Sequence, residues 1–167
     1  MRKLILIALL AISTTAAAQQ LDFKVLDKIA AKAKSTTEIG MDDATLKSTT
    51  GLLNDNDKKE AAAKKGTESL KGFFLRSYEF NKGDFKWDDL KPLLDQLKSP
   101  SWVRFLRNKE ENEQTEIWWH VTKGETDGML LITAEENELT VINGMGISSL
   151  ADLAKLKDLG NHKTQKD

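Results

Sequence analysis

Three apolar runs, rich in β-branched and aromatic residues, dominate the pattern between 115 and 144: TEIWWHVT, then MLLITA, then ELTVING. The stretches between them, KGETDG and EEN, carry the Gly, Asp, Asn and Glu of turns, so the pattern predicts a three-strand antiparallel meander. Upstream, Phe23, Leu26, Ile29, Ala30 and Ala33 recur at helical spacing, which predicts a helix over 21–34. Weak alternation over 36–41 predicts a short strand. Asp42 or Asp43 can then cap a second helix running to 53. After a polar break at 54–57, an Ala- and Lys-rich helix is expected over 58–71, with Ala63, Gly66 and Leu70 on one face.

Phe73 to Phe80 (FFLRSYEF) has strong strand character, and Asn81-Lys82-Gly83-Asp84 reads as a turn. Leu90, Leu93, Leu94 and Leu97 form a helical stripe. Pro92 belongs in its first turn, which makes Asp88 or Asp89 the expected cap, and Ser99-Pro100 stops it. Another strand is expected over 102–107, then a charged loop over 108–114. A last helix over 150–159 follows from the Ser149/Asp152 capping box and the stop at Gly160, with a polar tail at 161–167.

The elements together predict one α+β domain over 19–160. It is mainly an antiparallel sheet of about five or six strands with a C-terminal meander, and its helices pack mostly on one face. Turn lengths suggest a register in which Val121 faces Leu130, Trp119 faces Ile132, Ala134 faces Leu139, Ile132 faces Val141, Phe105 faces Ile117 and Val103 faces Trp119. One face is then uniformly apolar: Val103, Phe105, Ile117, Trp119, Val121, Leu130, Ile132, Leu139 and Val141. The opposite face carries Trp102, Arg104, Trp118, His120, Leu131, Thr133, Thr140 and Ile142. It is too aromatic for a plain solvent face, and Arg104 opposite Trp118 is in range of a cation–π contact. Either a further element covers this face as a second core, or Trp102, Arg104, Trp118 and His120 form a partner or ligand surface.

Composition narrows the setting. Arg2 and Lys3, an apolar run over 4–12 and Ala16-Ala17-Ala18 have the layout of a cleavable signal peptide over 1–18, which implies a periplasmic or secreted protein. The apolar run is too short to span a bilayer, and with no cysteine at the cleavage site no stable membrane anchor is expected after cleavage. Removing 1–18 takes away two positive charges and moves the formal charge from −1 to −3, which speaks against a nucleic-acid partner. With no Cys and only His120 and His162, neither a disulfide nor a structural zinc site is expected, and no cofactor is implied.

No activated-serine, metalloprotease, dithiol or phosphate-loop motif occurs. Ser77, His120 and Glu79 could be assembled into a nucleophilic trio, but no spacing demands it. Acid pairs such as Asp88-Asp89 and Glu135-Glu136 fall at caps and turns.

Several stretches resemble a bacterial exported family catalogued as domain of unknown function 4252. They are Lys71-Gly72 leading into Arg76-Ser77-Tyr78-Glu79-Phe80, the Asp89-Leu90/Pro92 helix, Ser99-Pro100-Ser101-Trp102, and Leu139-Thr140-Val141-Ile142-Asn143. The resemblance covers roughly 26–159 and implies an exported α+β domain; it brings no activity with it. The expected function is a non-enzymatic binding or interaction module of the bacterial envelope, with a possible envelope protein partner. The alternatives are a regulatory or structural partner of a transmembrane signalling protein, or a hydrolase whose site assembles only in three dimensions.

Overall fold

A computed structural model of the chain describes residues 21–54, 56, 61, 64 and 69–148. The expected signal peptide (1–18), most of the expected 58–71 helix, the expected 150–159 helix and the 161–167 tail lie outside the described residues.

Six strands form one sheet: β1 (Ser35–Asp42), β2 (Gly72–Glu79), β3 (Trp102–Lys109), β4 (Glu113–Thr122), β5 (Glu125–Glu135) and β6 (Glu138–Met145). Their spatial order is β1-β2-β6-β5-β4-β3, and every neighbouring pair is antiparallel. The helices are short. Asp22 accepts from the Lys24 N–H and starts a 3-10 turn (Phe23–Leu26) that leads into α1 (Asp27–Ala30). α1 stops well before 34 because the chain is drawn into the sheet, where the Lys34 N–H donates to the Glu79 carbonyl at 2.7 Å. Asp42 caps α2 (Asp43–Gly51) through the Thr45 N–H. The Trp87–Leu90 turn, α3 (Lys91–Gln96) and its C-cap Leu97 hold the leucine stripe. Here the cap position is Lys86 rather than an aspartate, and Asp89 reaches back to accept from the Lys86 N–H at 3.0 Å.

The β5–β6 register is as the pattern predicts, with Ala134 opposite Leu139 and Ile132 opposite Val141. So are the Val103–Trp119 and Arg104–Trp118 pairs of β3 and β4. The β4–β5 register is different. Lys123 and Gly124 alone make the turn, at φ 53° and 84°, the left-handed pair of a two-residue hairpin. Thr126 to Gly128, expected in the turn, are already strand. Trp119 therefore faces Met129, and Trp118 faces Leu130. The offset from the expected register is odd, so it swaps the faces of β3 and β4 relative to β5 and β6.

The core lies between the sheet and α1 and α3. Leu26, Ile29, Leu90, Leu93 and Leu97 pack there on Tyr78, Leu130, Ile132, Leu139 and Val141, with Trp102 and Trp118 on the same side. Val103, Ile117 and Trp119 are corrected to the opposite face. There Ile117 and Trp119 join a smaller cluster of Leu46 from α2, Leu70, Met129 and Ile147. One rung on that face is apolar across all six strands (Ile39, Leu75, Ile142, Leu131, Ile117, Leu106). The next is polar throughout (Thr37, Ser77, Thr140, Thr133, Thr115, Asn108).

Candidate functional site

All four candidate residues share a face, and it is the helix-covered face. They divide into two contacts built on two sheet irregularities.

The first irregularity is in β3. Arg104 pairs with Trp118 and Leu106 with Ile117, so Phe105 is an extra residue with no partner of its own. It tips onto the far face, edge-on to Trp119 at 5.9 Å. An odd spacing along a regular strand would put Arg104 and Arg107 on opposite faces. The bulge absorbs one residue and brings Arg107 opposite Glu116, on the same face as Arg104. Glu116 is the hub. Its side chain is 3% exposed and accepts from Trp118 Nε1 at 2.9 Å and Gln114 Nε2 at 3.3 Å. Arg107 Nε lies at 3.3 Å and Arg104 Nη1 at 3.9 Å, while the Arg104 guanidinium stands 5.4 Å over the Trp118 ring. Burying a carboxylate is costly unless it is paired and hydrogen-bonded, and Glu116 is both. Both arginine side chains are 46% exposed, so two half-exposed cations share one buried anion.

The second irregularity is in β5. Thr126 pairs with Val121 and Gly128 with His120, which leaves Asp127 as the extra residue. Its carboxylate lies 2.6 Å from His120 Nδ1, and the His120 ring is 1% exposed, edge-on to Trp102 at 5.0 Å. Burial pushes the Asp127 carboxyl up, but the hydrogen bonds from His120 and Thr122 outweigh it and hold the group below its ordinary value of 3.8. An ionised Asp127 can only accept, so Nδ1 carries the proton.

A carboxyl whose folded value is depressed contributes stability that is fully present above its unfolded value and is lost as pH falls through the folded value. Asp127→Asn should therefore cost stability at neutral pH and flatten the loss between pH 3.8 and more acid conditions. Thermal unfolding of both proteins from pH 7 to pH 2 checks this. Parallel profiles would show that the contact carries no linkage.

Among the four, Trp102 and His120 are buried supports, and Arg104 and Trp118 reach the surface. Ser77, His120 and Glu79 are not brought together. Ser77 lies on the far face of β2, bonded to Glu138, and β6 and β5 separate β2 from the strand of His120. Among the described residues no group of three or more His, Asp or Glu is placed to hold a metal ion. No described helix is long and apolar enough to cross a membrane.

Glu116 could have been found from the sequence, because Glu116, Trp118 and His120 share a face at strand spacing. Arg107 and Asp127 could not, because each owes its position to a bulge that period-two spacing does not show.

Fold and site together define a single-sheet α+β domain with a guanidinium–indole surface over a buried carboxylate. The family model described as Domain of unknown function (DUF4252) matches residues 28–156, and the chain belongs to that family. A search of curated proteins finds no match.

Proposed function

We propose that the chain is an exported envelope protein that works by contact, as a non-enzymatic binding module, through the surface formed by Arg104, Arg107 and Trp118. The observation that carries this reading is the buried Glu116, which fixes two half-exposed guanidiniums and an indole in one arrangement. Arg and Trp are enriched at interface hot spots, and cations held in advance lose less freedom on binding. His120 and Trp102 stiffen the adjoining part of the face from below. A histidine ring exposed to 1% offers a substrate no surface, which favours contact over catalysis.

Arg104→Ala and Trp118→Ala should each weaken capture of an envelope partner by the mature protein about thirtyfold, or about 2 kcal/mol, scored on the folded fraction because Trp118 also packs on the core. Lys47→Ala and Lys98→Ala, at exposed lysines in α2 and just after α3, serve as controls and should change nothing. Capture unaffected by both site variants would refute the reading.

Export is supported by the charged, apolar and small-residue layout of 1–18. Mass measurement of the mature protein should show cleavage after Ala18. A retained Met1 would refute it.

A further inference from the structure

The binding-module reading can be taken one step further, to the kind of partner. β3 closes one edge of the sheet, and among the described residues no strand pairs with its outer side. Such an edge presents a row of backbone N–H and C=O groups to any extended chain, and folded proteins ordinarily blunt it. The opposite edge, β1, has a different chemistry: Ser, Thr and Gly fill much of it, and its Glu38 is engaged by Arg76 at 2.7 Å. β3 differs from it. After Trp102 every residue is exposed, and it carries Val103 (51%), Phe105 (54%) and Leu106 (38%), three of the five large apolar side chains exposed among the described residues.

The two faces of this edge differ in chemistry. Val103, Phe105 and Leu106 lie on one side, and Arg104 and Arg107 on the other. The bulge places the two arginines opposite Trp118 and Glu116, two residues apart on β4, which is the spacing at which a pleated strand presents side chains to one face. Each guanidinium has five N–H donors, and the contacts with Glu116 use Nη1 of Arg104 and Nε of Arg107.

We propose that β3 takes up an extended segment of a partner protein by strand addition, the segment alternating acidic and apolar residues. Its carboxylates meet Arg104 and Arg107 on one face, and its apolar side chains meet Val103, Phe105 and Leu106 on the other. Main-chain bonds to the edge supply affinity, and the alternation supplies specificity and register. This rests on the binding-module reading and goes beyond it, because a charged patch could also bind a compact acidic surface.

The test measures binding of synthetic eight-residue peptides to the mature protein by fluorescence polarisation. A peptide alternating Glu and Val should bind saturably. A block peptide of the same composition, four Glu followed by four Val, should bind at least tenfold more weakly, and alternating Lys and Val should not bind. Methylating the backbone nitrogens along one edge of the alternating peptide should abolish binding, an outcome that needs no variant protein to fold. Arg104→Gln and Arg107→Gln should each weaken binding about tenfold. Equal binding of block and alternating peptides, or indifference to backbone methylation, would overturn strand addition in favour of a simple charge contact. A protein that is dimeric at micromolar concentration and monomeric as Phe105→Lys would place a second copy on the edge and overturn it too. If no peptide binds while Arg104→Ala and Trp118→Ala still weaken partner capture, strand addition fails and the binding-module reading stands. If capture is indifferent to those variants, that reading fails as well.

Discussion

Phe80→Ala should lower the stability of the domain by about 3–5 kcal/mol, the range for truncating a buried phenylalanine. Phe80 is 1% exposed, stacks on Phe85 at 5.1 Å and lies 6.3 Å from the Tyr78 ring. It follows the last residue of β2, where its N–H donates to the Asn137 carbonyl at 2.8 Å and holds the chain against the β5–β6 turn. The backbone at 80 is therefore held in place and cannot move in to fill the gap, so the cavity term adds to the lost transfer energy. Denaturant midpoints with an unchanged slope would measure the loss. Leu52→Ala is the control, because an 86% exposed leucine should change stability by no more than about 0.5 kcal/mol. A Phe80→Ala loss below about 1 kcal/mol would mean that the β2 exit contributes little to the core.

That core was legible wherever one physical signal determined the outcome. The leucine stripe at 90, 93, 94 and 97 has helical spacing, and the 3-10 turn, α3 and its C-cap follow it. The Phe73–Phe80 run and the three runs of the meander are short, β-branched or aromatic, and bounded by turn residues; each is a strand within two residues of its expected ends, except that β5 begins four residues before Met129. The Glu-Glu-Asn turn between β5 and β6 also fixed its register correctly.

The faces were harder. Lys123-Gly124 looked like part of a six-residue turn, because Thr126, Asp127 and Gly128 have the composition of a loop. Instead, a two-residue turn with both φ angles positive closes the hairpin, and the loop-like residues are spent on a bulge. The resulting odd offset inverted the assignment of Trp118 and Trp119, although each strand had been located. The candidate site shows the same limit. The pairing of Arg104 with Trp118 followed from simple alternation. The second arginine and the aspartate under His120 depend on residues that the alternation does not count.

Gly146→Ala carries two costs that act together. Gly146 has φ +82°, a region that an L side chain occupies only under strain. An added Cβ would also fall on the Ser69 carbonyl oxygen and come within 3.0 Å of the Lys71 nitrogen, and neither is a side chain that can turn aside. Backbone strain and overpacking each cost roughly 1–3 kcal/mol, so a combined loss of about 3 kcal/mol is expected. Gly144 supplies the contrast. A Cβ there meets the Ile147 side chain rather than backbone, and Gly144 has no left-handed φ. Gly144→Ala should therefore cost clearly less, although both glycines are crowded. The damage at Gly146 should also reach the site. Its N–H donates to the Asp127 carbonyl at 2.7 Å, and the neighbouring Met145 carbonyl accepts from the Lys71 N–H at 2.9 Å. Displacing Gly146 loosens the bulge that aims the Asp127 carboxylate at His120, so the acid-side loss of stability assigned to Asp127 should shrink in Gly146→Ala and persist in Gly144→Ala. Unfolding measured at pH 7 and below pH 3.8 separates the two effects. Equal costs for the two glycines, or an unchanged acid profile in Gly146→Ala, would show that the β6 exit does not support the His120–Asp127 contact.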